Sequence, residues 1–289
     1  MKAKVITDSG SGLTLKEAND HNIGFLPLQI TVDGELFLDG YNLDPEELYQ
    51  HMEEGKMPTT SQPPLLMQED LFESLQKDGV TDLILVNLST GLSGTNATLQ
   101  ATAKRLGMKV HTLDICTTLF VQKYLALAAA KMLEEGKEPE EIIAVLQDAA
   151  DHSAGYLIPD DLDHLAAGGR LTPMAAKLGG MLKIKPVLEV SPKTQGKVDV
   201  YQKVRTFSKA VKKAVEQIKE DMDPNREYEI LITSCRCDQG VEAAVAAVQE
   251  TLPETVSIHI DPLYAVIAVH TGLGSLGIQY VPKIDGVEL

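Results

Sequence analysis

The segment that most narrows the fold is the run from Leu83 to Leu88. It is apolar but for Asn87, and it empties at once into the loop Ser89-Thr90-Gly91-Leu92-Ser93-Gly94. A strand that is apolar on both faces must be covered on both faces. That is the position of an inner strand in a parallel sheet flanked by helices.

The neighbouring segments keep the same rhythm. Lys4 to Thr7 reads as an apolar strand, followed by the turn Asp8-Ser9-Gly10-Ser11-Gly12 and a helix over Leu13 to His21. Phe25 to Val32 alternates as one half-buried strand, and Asp33-Gly34 signals a hairpin to Leu36-Phe37-Leu38. Asp44-Pro45-Glu46-Glu47 supplies a cap, a proline and an acidic first turn, so a helix starts there. Thr95 to Leu106 is a helix closed by Gly107, Val110 to Leu113 a strand, and Leu119 to Glu135 and Pro139 to Asp151 two successive helices.

From Gly155 the pattern restarts. Strands are expected at Tyr156 to Ile158, Pro186 to Val190, Lys197 to Val204, Tyr228 to Thr233 and Val256 to Ile260. Helices are expected at Pro173 to Leu182, Phe207 to Met222, Gly240 to Leu252 and Leu263 to Val269. The alternation gives an α/β fold with a parallel, helix-covered sheet at least in the first half. At 289 residues the chain exceeds the usual size of one core, so two α/β domains are expected, divided as 1–154 and 155–289.

Charge excludes whole classes of partner. A net charge of −16 argues against nucleic acid, which needs a dense basic surface, and against docking on anionic lipid. Apolar stretches such as Tyr124 to Ala130 are too short to span a bilayer, so no integral membrane segment is expected. The N-terminus enters a strand-like pattern without a signal-peptide core, which points to a cytoplasmic protein. Three cysteines, an odd number, suit a reducing compartment, and Cys235-Arg236-Cys237 lacks the second pair that a zinc site needs.

The chemistry collects in short polar loops. At Asn87 to Thr95 a buried strand runs into hydroxyls and glycines before a helix. Glycines let the backbone approach a ligand, and a helix N-terminus offers free N–H groups to an anion. Ser93 therefore stands where a carboxylate or phosphate could be held; the plainer role is a helix cap. A nucleophile is a third role, but the G-x-S-x-G elbow fails at Thr95, where a glycine should stand. Pro58-Thr59-Thr60-Ser61-Gln62-Pro63-Pro64 is a second hydroxyl cluster, held extended by its prolines. Arg170 follows Gly168-Gly169 and could fork onto an acid, its plainer role being a surface charge; His270 ends a helix before a glycine turn, where a lone histidine is otherwise structural. There is no P-loop, and no G-x-G-x-x-G that opens a helix after a strand with an acidic residue downstream, so the chain shows no cradle for a nucleotide.

Taken in order, these segments resemble the DegV family, the fatty-acid-binding FakB proteins of bacterial fatty acid kinases. Thr7-Asp8-Ser9 is similar to the family's T-D-S and Thr60-Ser61-Gln62-Pro63 to its T-S-Q-P. Leu88 to Thr95 resembles L-S-S-x-L-S-G-T, with Thr90 for a serine. Gly168-Gly169-Arg170-Leu171, Lys183-Ile184-Lys185-Pro186, Lys203-Val204-Arg205 and His270-Thr271-Gly272-Leu273-Gly274 complete the series. Leu273 replaces a proline of H-x-G-P-G, and Asp114-Ile115 stands for the family's central D-S.

The resemblance implies a fatty acid in a tunnel between two α/β domains, its carboxylate meeting Thr60, Ser93 and His270, with Arg170 beside the head group. It implies no catalytic residue and no cofactor in this chain. A separate FakA-like kinase subunit would bring ATP and magnesium, and the acyl phosphate would stay here for phospholipid synthesis. A serine acyl hydrolase using Ser93, or a binding module for another small anion, are the alternatives. The physics suits a lipid: a sixteen-carbon tail gains roughly 12 kcal/mol at about 0.8 kcal/mol per buried methylene, before ordering costs.

Overall fold

The computed structural model describes residues 2–177 and 184–287. The first half holds seven strands: β1 (Ala3–Asp8), β2 (Gly24–Leu26), β3 (Gln29–Val32), β4 (Glu35–Leu38), β5 (Thr59–Ser61), β6 (Asp82–Val86) and β7 (Lys109–Thr112). Four of them form a wholly parallel sheet in the order β2-β1-β6-β7. Every residue of β6 is buried, as its apolar sequence requires. Leu83 and Leu85 face Phe72 and Leu99 of the helices Leu65–Lys77 and Thr95–Arg105. Ile84 and Val86 face the other way, into a core with Tyr124, Leu125 and Leu146 of the helices Leu119–Glu134 and Pro139–Asp151.

The second half builds a six-stranded sheet from β8 (Ala154–Ile158), β9 (Lys185–Val190), β10 (Asp199–Val204), β11 (Tyr228–Cys235), β12 (Ser257–Pro262) and β13 (Ser275–Pro282). Its order is β10-β9-β8-β13-β11-β12, and only the β11–β12 pair is parallel. The helices Phe207–Asp221 and Asp238–Thr251 cover one face through Ala214, Ile218, Ala244 and Val248.

Three differences from the sequence reading have physical causes. Phe25 to Val32 is two strands, because Pro27 lacks the N–H that a continuous ladder needs. β3 then pairs antiparallel with β4 and with β5, giving a separate three-stranded sheet. The helix expected over Leu13 to His21 begins at Leu15, behind a Thr14–Glu17 capping box. β13 went unread although all eight of its residues are buried. Its alternation of Ser275, Gly277 and Gln279 with Leu276, Ile278 and Tyr280 hides an inner strand behind small and polar residues. The helix expected at Pro173 to Leu182 is seen over Pro173–Ala176; residues 178–183, which include Lys183, lie outside the described residues.

Candidate functional site

The site starts from the anchoring of the loop after β6. Asp8, at the end of β1, is fully buried; it accepts hydrogen bonds from Gly10 N at 2.8 Å, Leu88 N at 3.1 Å and Gln122 Nε2 at 3.0 Å. Burial raises its carboxyl pKa, and these donors offset only part of the rise. The Thr7-Asp8-Ser9 motif is thus a brace that fixes where Leu88 leaves the sheet.

Beyond Leu88 the loop closes on itself. Ser89 Oγ accepts from Gly91 N at 3.0 Å, and Leu92 N and Ser93 N both donate to Ser89 O. Thr90 donates its hydroxyl to Asp114, and Asp114 also accepts from Cys116 N at 2.9 Å. Asp114, at the departure from the D-S pattern, therefore ties two loops together. Ser93 Oγ accepts from Thr95 N at 3.2 Å and lies 2.8 Å from Thr95 Oγ1. Gly94, not Ser93, is the N-cap of the helix Thr95–Arg105; the Ser93 hydroxyl instead holds the first helical N–H from one residue further out, and the same residue lines the adjoining cavity.

That cavity, of about 430 Å³, is bounded by both halves of the chain. All four residues singled out from the sequence, Thr60, Ser93, Arg170 and His270, line it. Thr60 comes from β5, where it pairs with Ile30 of β3. His270 comes from the last turn of the helix Ala265–Thr271. The two side chains meet across 210 residues of sequence, with Thr60 Oγ1 2.7 Å from His270 Nε2. The helix stops at Gly272, whose φ of 81° is open to glycine but costly for other residues. A Cβ there would also lie 2.9 Å from His164 Cδ2, and His164 in turn holds Val269 O at 2.9 Å.

His270 is kept neutral. Burial lowers its pKa to about 4, and the neighbouring charges of Arg170 and His164 act in the same direction. Its Nδ1 is buried and completes no hydrogen bond, although the Gly168 backbone lies near enough to oppose the shift slightly. If Nε2–H donates to Thr60, the threonine hydroxyl keeps its own proton for a ligand. Arg170 is half-buried and donates from Nη1 to Gly168 O at 2.7 Å, which aims a permanent positive charge at the same end of the cavity.

The rest of the wall is mainly apolar, with Leu92, Leu119, Leu157, Val190 and Val266 among its residues. Such a cavity accepts a molecule with one acidic end and a long apolar body. Ser93 and His270 are not bonded to each other here: His270 is bonded to Thr60 and Ser93 to Thr95.

Sequence reasoning missed a second polar group on the wall. Gln279 of β13 donates from Nε2 to Thr117 Oγ1 and to Thr118 O, both at 3.1 Å. Its Oε1 accepts from Phe120 N at 3.0 Å. Both threonines and Gln279 line the cavity. The available signal was the Thr117-Thr118 pair placed directly before the helix Leu119–Glu134.

Comparison with known proteins adds the following. The family model described as an uncharacterised protein of the DegV family matches residues 2–283. A DegV domain-containing protein of Staphylococcus aureus is 33% identical over 286 residues, covering 98% of each chain. Among solved structures, a fatty acid binding DegV family protein from Streptococcus agalactiae superposes with a TM-score of 0.88 at 30% identity, over 98% of this chain and 100% of that one. DegV of Bacillus subtilis, described as a fatty acid binding protein, gives 0.86 at 29% identity over the same shares.

Proposed function

The chain belongs to the DegV family, and from that membership we propose that it binds one long-chain fatty acid and presents the carboxylate to a separate ATP-dependent kinase subunit. The observation that carries the reading is the make-up of the cavity wall. Two hydroxyls, a neutral imidazole and one guanidinium stand in the wall of an otherwise mainly apolar space, with His270 bonded to Thr60 and within reach of the Arg170 charge.

A buried carboxylate without partners is very costly, so the head must sit where donors converge. Thr60 and Ser93 offer hydroxyls, and Arg170 supplies the full positive charge. With His270 neutral, the head group meets one cation, which leaves room for the further negative charge of an acyl phosphate. The tail lies between residues 1–154 and 155–289. In this reading the chain is a cytoplasmic lipid-binding subunit without catalytic residues, and it retains the acyl phosphate for phospholipid synthesis.

The reading is tested by loading the delipidated protein with palmitic acid and adding a family kinase subunit, ATP and magnesium. Acyl phosphate should form only when both proteins are present. Equal formation without this protein, or release of acid from an activated ester by this protein alone, would overturn it.

A further inference from the structure

Two glycines sit side by side on the cavity-facing side of the six-stranded sheet. Gly155 of β8 is paired with Gln279 of β13, and Gly277 of β13 with Leu157 of β8, so the glycines are diagonal neighbours on adjacent strands. Both line the cavity. Neither has a positive φ, so the backbone conformation does not call for glycine at either position. A glycine inside a strand weakens it and commonly marks a place where something approaches the backbone closely.

The space above them is informative. A Cβ at Gly277 would meet Thr233 Cγ2 at 2.8 Å, and its only other neighbours within 4 Å are Thr233 O and Tyr156 O. All three belong to the sheet itself; no atom of the opposite wall comes that near. A Cβ at Gly155 would meet first the Gln279 side chain, with Nε2 at 3.0 Å. Beyond Thr233 the space over Gly277 is open cavity, whereas the Gln279 side chain lies over Gly155.

Its position along the cavity follows from β13. Ser275 Oγ is bonded to Thr271 O at 2.7 Å, next in sequence to His270. At about 3.3 Å per residue the strand carries the wall about 7 Å from Ser275 to Gly277 and about 13 Å to Gln279. Gly277 thus lies on the wall between Ser275, beside the His270 turn, and Gln279, which is clamped to Thr117 and Thr118.

We propose that Gly277 leaves a trough of bare backbone, walled at Gly155 by the Gln279 side chain, that seats the acyl chain and sets the chain length the protein accepts; the inference rests on the fatty-acid reading above. Gly277→Ala alone is an incomplete test, because its methyl strikes Thr233 within the sheet. Gly277→Ala combined with Thr233→Ser removes the Cγ2 it would strike and keeps the hydroxyl, so the fold is relieved while the trough stays filled.

Affinity is measured for acids from decanoic to stearic with wild type, the Thr233→Ser control and the double variant. Wild type and control should tighten by about fourfold per methylene, the equivalent of about 0.8 kcal/mol. The double variant should stop tightening at a shorter chain, with stearic acid weakened at least tenfold more than decanoic. Parallel curves, or one uniform loss at every length, would overturn the trough. Absence of any length-dependent binding by wild type would instead remove the fatty-acid reading, and this inference with it.

Discussion

Replacing Ser93 with alanine separates two roles that one hydroxyl can fill. Its Oγ accepts from Thr95 N at 3.2 Å and contacts Thr95 Oγ1 at 2.8 Å, at the start of the helix Thr95–Arg105. Losing a support of this kind costs about 1 kcal/mol. With an unfolding entropy of about 2.1 cal/mol/K per residue, a chain of 289 residues loses about 2 °C of Tm from that change. This part appears with or without lipid. A charge-assisted bond from the same hydroxyl to a buried carboxylate is worth about 1.5–3 kcal/mol and exists only in the loaded protein. It should add about 2–5 °C to the loss in the loaded form and weaken the Kd by about ten- to a hundredfold. Thermal denaturation of loaded and delipidated protein, wild type beside Ser93→Ala, reads both parts. Equal losses in the two forms would refute the ligand role and leave only the helix support.

Three further outcomes are expected. Arg170→Ala should keep its bound acid, because the tail supplies most of the binding energy, yet lose acyl-phosphate formation with the kinase. Normal yield would take Arg170 out of the head-group site, and loss of lipid would make it a simple carboxylate ligand. Since folding lowers the His270 pKa from 6.5 to about 4, its contribution to stability is complete above pH 6.5 and is lost as pH falls towards 4, by about 3 kcal/mol. His270→Gln should flatten the stability-versus-pH curve in that window; an unchanged slope would show that the ring is not kept neutral. Asp39 has the opposite sign: burial raises its carboxyl to about 7, so its contribution is present below pH 3.8 and lost as pH rises towards 7. Asp39→Asn should therefore compare better with wild type at pH 8 than at pH 5 in chemical denaturation, and a difference independent of pH would contradict this.

Much of the architecture was legible because burial on both faces writes itself as an apolar run. β6 was of this kind; the helices Thr95–Arg105, Leu119–Glu134 and Pro139–Asp151 were read from their caps and stops, and the helix Leu65–Lys77 ahead of β6 was not read. β13 was not legible, since its cavity face is made of Ser275, Gly277 and Gln279, residues selected by space and hydrogen bonding and not by hydrophobicity. The site divided along the same line. Thr60, Ser93, Arg170 and His270 each sat in a motif with turn residues around it, and the fold brings all four to one cavity. Their pairing could not be read, because the Thr60–His270 contact joins strand β5 to a helix more than two hundred residues away. The Gln279 clamp stayed hidden for the same reason: its partners at Thr117, Thr118 and Phe120 are tertiary neighbours. Asp114 looked like a departure from pattern and has a clear task, holding Thr90 and Cys116 in place.

The central claim is that the cavity holds a fatty acid, and the most direct measurement is the lipid content of the purified protein. Native mass spectrometry, followed by organic extraction and mass analysis of the extract, should find about one long-chain fatty acid per chain. The delipidated protein should take up palmitic acid to the same ratio and bind no ATP. A lipid-free chain that refuses palmitic acid, or one that binds ATP tightly, would contradict the account.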